Sequence, residues 1–378
     1  MNKLLTIYDN NDPLNNVMCA LSLDIDEVFY YYHHEEPRNS FNNIKKVIKQ
    51  YKNIKIHFIK LIDDRAQLLE TIRKHKNLFY DVGGAKYLSL LLFELAPKVK
   101  NRIFYFDDEE NVIKDYVSHT VYKKNVFRLS IEDVLLLKGG KIKSALHQEV
   151  QHYNTKKAIV NVVESNIENY GAFVKYITKV NSMLNNSKRI GRRSYLLNTD
   201  KIKNLLTDSM YKNTSDLFEI KDNRLTFKTE ELRNLVCVSG AFLENYLFIK
   251  LKETKKFDEI KMSTVIDFSN EKYKHPVRCE IDCLVLSKNK LALVSCKSSK
   301  ADTMDLNEIY VHNSIFGNCM SVPVLFVGEE LDRKYPSIYA KAEELGIYII
   351  DKSNITRKET ASIFNKIFTG TYQYDKIT

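Results

Sequence analysis

The sequence predicts an α/β protein with three parts: a parallel, doubly wound N-terminal sheet, a helical middle segment and a second, mixed α/β domain. Three observations carry this. Short β-rich runs recur at 3–8, 27–32, 54–59, 78–82 and 102–106, with helical stretches at 41–51, 64–76 and 85–96 between them. Strand, helix, strand at that interval is the pattern of a parallel sheet covered on both faces. Gly139-Gly140 closes this unit, and residues 144–215 show helical spacing with few strand signals. From about residue 216 strands and helices mix: a helix at 230–252, a strand pair at 277–297, a helix near 302–316, a strand at 322–327, a helix at 333–345, a strand at 347–350 and a final helix. The expected units are residues 1–140, 141–229 and 230–378.

Composition agrees with several folded units. The 378 residues are 44% hydrophobic with 11 Gly and 6 Pro, too long for one small core and too apolar for disorder. The formal charge of +10 favours a polyanionic partner. That excess is local: residues 151–215 carry +7, against +3 in 1–150 and zero in 216–378. Lys188, Arg189, Arg192 and Arg193 surround Gly191 there, dense enough to neutralise several phosphates of a nucleic acid; a solvated helix end is the alternative reading. No run of 18 apolar residues and no secretory leader pattern occurs, so a soluble, cytoplasmic protein with no membrane partner is expected. The six cysteines (19, 237, 279, 283, 296 and 319) show neither a disulfide framework nor zinc spacing, and read as free thiols.

Two places carry candidate chemistry. Residues 78–86 read Leu-Phe-Tyr-Asp-Val-Gly-Gly-Ala-Lys before a long apolar helix. A glycine pair between strand and helix lets backbone N–H groups approach an anion at the helix N-terminus, and Lys86 adds a full charge. Gly83, Gly84, Ala85 and Lys86 are therefore candidate ligand contacts, although such a pair also serves simply to reverse the chain. The loop Asp9 to Asn15, with Asn10 and Asn11, leaves the carboxyl end of another strand, where ligands bind in open α/β sheets. Neither loop is a Walker A or dinucleotide fingerprint, which disfavours an ordinary NTPase or dehydrogenase.

The second place is the strand pair. With Lys288-Asn289 as the turn, Asp282 falls opposite Ser295 and Glu280 opposite Lys297. Glu280, Asp282, Ser295 and Lys297 then share one face, and Cys279, Ile281, Cys283 and Cys296 the other. Carboxylates beside a lysine bind a hard divalent cation and place an amine near it, to orient water or stabilise a phosphorane; ordinary cross-strand ion pairs on an exposed face are the alternative. Upstream, Glu244 lies between Gly240-Ala241 and Leu247-Phe248 on a helix, an apolar setting that costs free energy without a partner. Glu244, Glu280 and Asp282 form the candidate metal set.

A helix with Glu244, a strand with Asp282 and a strand ending Ser295-Cys296-Lys297 resemble the PD-(D/E)xK nuclease core. Together with the Asp-Val-Gly-Gly-Ala-Lys loop, the whole chain resembles the CRISPR ancillary nucleases that join a CRISPR-associated Rossmann-fold (CARF) sensor to such a restriction-endonuclease-like domain. The resemblance covers roughly 1–140 and 230–350. It implies a homodimer that binds cyclic tetra-adenylate from type III CRISPR complexes and then cleaves RNA or DNA with Mg²⁺ or Mn²⁺. Two departures stand out. Val82 and Ala85 replace the threonines of the usual Thr-Gly-Gly-Thr-Lys pattern, and Ser295 replaces the usual acid, leaving Glu280 or Glu308 to supply a carboxylate. Ser295 also keeps open a second function, a ligand-responsive nucleic-acid-binding regulator with a degenerate nuclease core.

Overall fold

The computed structural model describes residues 1–9, 12–33, 38–62, 64–75, 78–83, 86–95, 102–145, 149–238, 240–268, 277–316, 321–331, 337–357 and 360–372. In the first unit the chain runs β1 (Lys3–Ile7), α1 (Asn15–Ser22), β2 (Glu27–Tyr32), α2 (Arg38–Tyr51), β3 (Lys55–Lys60), α3 (Asp64–Lys74), β4 (Leu78–Asp81), α4 (Lys86–Leu95) and β5 (Arg102–Asp107). The expected alternation is therefore present. The short strands β6 (Val112–Asp115) and β7 (Val121–Lys123) complete a sheet of order β3-β2-β1-β4-β5-β6-β7, parallel from β3 to β5. Alternate strand residues go to opposite faces. Leu4, Val28, Tyr30 and Phe104 pack in one core with α1 and α2, and Leu5, Phe29, Tyr31 and Ile103 pack in another with α3 and α4.

Helix α5 (Ile131–Leu137), capped by Ser130 and Asp133, leads into β8 (Gly140–Ala145). Gly140 begins a strand of the other sheet: β8 pairs antiparallel with β13 (Glu259–Phe268). A Cβ on Gly140 would stand 2.8 Å from the Phe268 ring, so glycine permits the close approach. The middle segment holds the expected helices α6 (Tyr153–Asn166) and α7 (Tyr170–Asn185), then departs from expectation. β9 (Lys188–Arg189), β10 (Ser194–Leu196), β11 (Phe218–Lys221) and β12 (Arg224–Phe227) form an antiparallel sheet of order β11-β12-β10-β9, with α8 (Thr199–Leu206) inserted between β10 and β11. Strands of two to four residues are too short to print a two-residue period on the sequence.

The single helix expected over 230–252 is two, α9 (Glu230–Val236) and α10 (Ala241–Glu253). Gly240, at φ 86°, makes the break and caps α10. β13, β14 (Val277–Ser287), β15 (Lys290–Lys297), α11 (Thr303–Phe316), β16 (Ser321–Val327), α12 (Ser337–Glu344) and β17 (Tyr348–Ile350) follow, and α13 (Lys352–Arg357) and α14 (Thr360–Phe368) replace the one final helix. The sheet order is β17-β16-β15-β14-β13-β8. β13 escapes the periodicity because five successive residues from Met262 to Ile266 are buried.

One face of this sheet, with Val285, Ala292, Val294 and Phe326, packs in a core that also holds residues of α6, α7, α10 and α14. On the other face Leu284, Leu286, Leu291 and Leu293 belong to the core that contains α1, α2 and α5. A single apolar core thus runs from the first unit into the last. Leu284→Ala should lower stability by about 2–5 kcal/mol, and calorimetry should show both units shifting in one transition. A variant whose first unit melts as before, separately from the second, would contradict the shared core.

Candidate active site

The β14–β15 hairpin closes on Lys288 and Asn289, at φ 49° and 65°, the pair of positive values a type I′ turn needs. Its register runs from Ser287↔Lys290 to Cys283↔Val294, as expected from the sequence. Beyond that pair the ladder stops. The Asp282 Oδ2 accepts the Cys296 N–H at 2.7 Å and the Ser295 hydroxyl at 3.4 Å, so a side chain replaces a backbone carbonyl and the strands open. Asp282 Oδ1 carries no hydrogen bond among the described residues.

Asp282 also marks a shift of strand parity. Cys279 and Ile281 join the core shared with the first unit, whereas Cys283 and Cys296 join the core against α10. The expected common face of these four residues is therefore split. The neighbouring strand has its irregularity at the same level: the β13–β14 register is continuous on either side of Ser263 but skips it, and Ser263 has a φ of 46°.

Ser263 and Gly240 place Glu244. The carboxylate sits in the first turn of α10 and accepts the Ser263 hydroxyl at Oε2, 3.2 Å. A Cβ on Gly240 would lie 3.1 Å from Oε1. Glu244 is buried. Burial first, then the charges of Asp282 and Glu280, push its carboxyl up to about 7 against the Ser263 hydrogen bond. Asp282 is raised as well, by burial, with the Cys296 N–H and the Lys297 charge holding it back. The charge of Glu280 raises Asp282 further, so acids that disfavour one another's ionisation gather around this end of the hairpin, an arrangement a cation would relieve.

A cleft of about 180 Å³ opens on this hairpin, lined by Glu280, Asp282, Ser295 and Lys297 together with Glu308 and His312 of α11. Five residues named from the sequence, Glu308 among them, thus meet in one hollow. Lys297 does not pair across the strands with Glu280. Its ammonium contacts Asp305 at 3.0 Å and Glu308 at 3.4 Å. Burial works to lower its pKa, but the two carboxylates outweigh this and hold it above the ordinary lysine value. Burial keeps the His312 imidazole below its usual value, hence neutral at pH 7. Asp305 and His312 were not among the sequence candidates. Their spacing with Glu308, three and four residues, is a helix-face signal that would have found them.

The three residues read as metal ligands are not gathered into a cage: among the described residues, no group of three His, Cys, Asp or Glu side chains stands ready to hold a metal. The donor set nonetheless fits a hard divalent cation. Asp282 Oδ1 and Glu244 Oε1 have no hydrogen bond among the described residues, and Mg²⁺ is ordinarily held by one or two carboxylates while keeping several waters.

In the first unit the structure brings the two loops together. A Cβ on Gly83 would stand 3.6 Å from Asn15 and 3.2 Å from the carboxylate of Asp81. Asp81 accepts the Gly83 N–H at 3.0 Å and the Thr6 hydroxyl at 3.2 Å, fixing the turn after β4. Burial raises its pKa to about 6. The backbone of Asp9 is clamped to the Asn16 amide, and Asn15 is tied to Asp12 through its backbone and side-chain nitrogens. The Asn15 Oδ1 is buried without a partner among the described residues. Asn10, Asn11, Gly84 and Ala85 lie outside the described residues, as does the side chain of Lys86, which opens α4.

Lys188, Arg189, Arg192 and Arg193 are not on a helix end. They are exposed on the β9–β10 hairpin. Arg189 donates to the carbonyls of Gly191 and Arg192, and Arg193 to that of Lys228, and none of the four forms an ion pair among the described residues.

No family model and no curated protein matches the sequence. Solved structures do match in fold. The protein VC1899 from Vibrio cholerae superposes with a TM-score of 0.77 at 15% identity, covering 98% of each chain. Can2 from Sulfobacillus thermosulfidooxidans, solved in complex with cyclic tetra-adenylate, superposes with a TM-score of 0.70 at 14% identity, over 97% of this chain and 99% of its own. The chain therefore shares the fold of these two proteins over nearly its whole length: a Rossmann-like first unit, a middle segment and a second, mixed α/β unit. No helix among the described residues is long and apolar enough to cross a membrane.

The raised Glu244 pKa has a stability consequence of definite sign. Below its ordinary value, 4.5, folded and unfolded states both hold the proton. As pH rises toward 7 the unfolded chain loses it first, so the metal-free fold loses stability through that window, by roughly 3 kcal/mol in full. Glu244→Gln should therefore raise the urea midpoint at pH 8 in the presence of a chelator and give little gain at pH 4. An equal gain at both values would contradict this.

Proposed function

We propose that the protein is a cyclic-oligoadenylate-activated, divalent-metal-dependent endonuclease that cleaves RNA or DNA in type III CRISPR antiviral defence, in the cytoplasm and as a homodimer. The observation that carries the reading is the opened hairpin: Asp282, held by the Cys296 N–H, stands with Lys297 in one cleft, and its charge helps to raise Glu244. The fold shared with Can2, itself solved with cyclic tetra-adenylate, supports the ligand class.

Asp282 and Glu244 would hold Mg²⁺ or Mn²⁺, with Glu280 at the cleft mouth. When bound, the cation would activate water and shield the scissile phosphate. Asp282 keeps its carboxylate aimed by the strand backbone. Lys297, held charged by Asp305 and Glu308, is a poor proton acceptor and serves as the cation beside the phosphate. Ser295 contributes a hydroxyl already turned to Asp282, which leaves a coordination place to water or Glu308. The exposed β9–β10 hairpin supplies unpaired cations for the nucleic-acid backbone. In the sensor, Asp9, Asn15, Gly83 and Lys86, with Asn10, Asn11, Gly84 and Ala85, would border the ring. A cyclic tetranucleotide has twofold symmetry, so two copies of these loops enclose it isologously. The exposed Tyr87 and Leu90 on α4, directly after the glycine loop, suit such a dimer face.

Ser295 and the open arrangement of carboxylates favour one other reading, a ligand-responsive regulator that grips nucleic acid without cutting it. Cleavage decides between them. With Mn²⁺ and cyclic tetra-adenylate, the wild type should cut RNA or DNA, and Asp282→Asn and Lys297→Ala should each lose about a hundredfold or more while still binding the ring. Intact ligand-stimulated cleavage in Asp282→Asn would remove the hairpin as the catalytic centre.

The basic hairpin should govern affinity and leave the chemical step alone. Replacing Arg189, Arg192 and Arg193 by Ala should raise KM and reduce the salt slope of binding by about 0.7–0.9 per lost phosphate contact. An unchanged slope would return this hairpin to a solvated surface.

A further inference from the structure

One of the two turn residues of the active-site hairpin, Asn289, is buried against the sensor, while Lys288 is exposed. Asn289 is 1% exposed. Its Oδ1 accepts the Leu129 N–H at 2.9 Å, and its Nδ2 donates to the Phe127 carbonyl at 2.9 Å and to the Asn111 Oδ1 at 3.0 Å. Beside it, the Lys288 N–H donates to Asp258 at 2.7 Å, and Arg128 pairs with the same carboxylate. A two-residue turn would ordinarily be solvated; this one has its side-chain amide spent on two separate stretches of the first unit.

Both stretches lead toward the candidate ligand loops. The Phe127 N–H, one peptide from the carbonyl that holds Asn289, donates to the Ser22 hydroxyl at 2.9 Å, and Lys123 holds the Ser22 carbonyl. Ser22 ends α1, whose other end is Asn15, tied to Asp12. Residues 16–22 of α1 are all buried, so the helix transmits a displacement of its N-terminus as a rigid piece. Asn111 is the second route. It follows β5 by four residues, and the charge of Asp108 in the same turn acts on Asp12.

On the other side of Asn289, the pairs from Ser287↔Lys290 to Cys283↔Val294 make a stiff two-strand lever that stops where Asp282 takes the Cys296 N–H. We propose that Asn289 is a positioning residue that carries occupancy of the sensor loops to the spacing of Asp282 and Lys297, through its three hydrogen bonds to Asn111, Phe127 and Leu129. It touches neither ligand nor substrate. It sets the hairpin's angle to the sensor, and an angular change at the tip appears where the strands open.

This rests on the reading of the protein as a ligand-activated nuclease, and the experiment separates the two. Full-length wild type, Asn289→Gly and Asn111→Gly are assayed for binding of cyclic tetra-adenylate, and for cleavage with Mn²⁺ in its absence and presence. Both positions have positive φ, so glycine keeps the backbone and removes only the amide. Asn289→Gly should bind the ring as the wild type does and keep the unstimulated rate. Its stimulation ratio should fall by about 5–150-fold. Asn111→Gly, which leaves two of the three bonds, should show a smaller fall. A packing role alone lowers stability and both rates together and leaves the ratio intact; that result overturns the proposal. Should Asn289→Gly fail to fold, Asn111→Gly decides, with full stimulation again the overturning result. If the wild type is not stimulated at all, the functional reading falls, and the coupling with it.

Discussion

The continuous apolar core between the first unit and the last is the constraint on which the remaining structure depends. Leu284, Leu286, Leu291 and Leu293 turn one face of the hairpin into the same core as Val17, Ile44, Leu129 and Val134 of the first unit. Water is thereby excluded from this face of the hairpin and from Asn289 in its turn, which is why the Asn289 amide must find protein partners and finds them in the first unit. The ion pairs Arg128–Asp258 and Lys261–Glu132 lie outside this core and are partly exposed, so they add orientation more than stability. Two units linked only by exposed charges would hinge freely. Two units sharing one close-packed core change their relative angle only as packed bodies do.

The opposite end of the hairpin shows the reverse physics. There the two strands part, and polar groups replace packing. Asp282 accepts a backbone N–H that a ladder carbonyl would otherwise take, and Glu244 is held by a hydroxyl from a strand residue in a left-handed conformation. Strain at Ser263, a glycine cap at φ 86° and the burial of Glu244 near the like charge of Asp282 each cost stability, and they coincide at one end of the hairpin. The first unit has its own milder version: Asp81, buried and raised to about 6, fixes the Gly83 turn by accepting its N–H.

Charge is distributed to match. Lys297 pairs with two acids and stays protonated, the arginines of the β9–β10 hairpin form no ion pair among the described residues, and the face of the second sheet turned to the first unit is apolar. A polyanion would be attracted by the exposed cations of the β9–β10 hairpin and repelled by the carboxylates of the cleft.

Local pattern alone determined the parallel N-terminal sheet, the β14–β15 register and the convergence of Glu280, Asp282, Ser295 and Lys297, because alternation and turn chemistry act between residues a few positions apart. It could not determine what is built from distant segments. β13 lost its period to burial on both sides, the helix at 230–252 broke at a glycine whose φ no periodicity reveals, and β9 to β12 were too short to register. The parity shift at Asp282 separated Cys279 from Cys283. The partners of Lys297 came from α11 and those of Asn289 from residues 111–129, at separations where only the packed chain decides which polar groups meet. Tertiary structure also decided that Glu244 lies beside a second acid, since a pKa depends on the charges and the water that folding leaves around it.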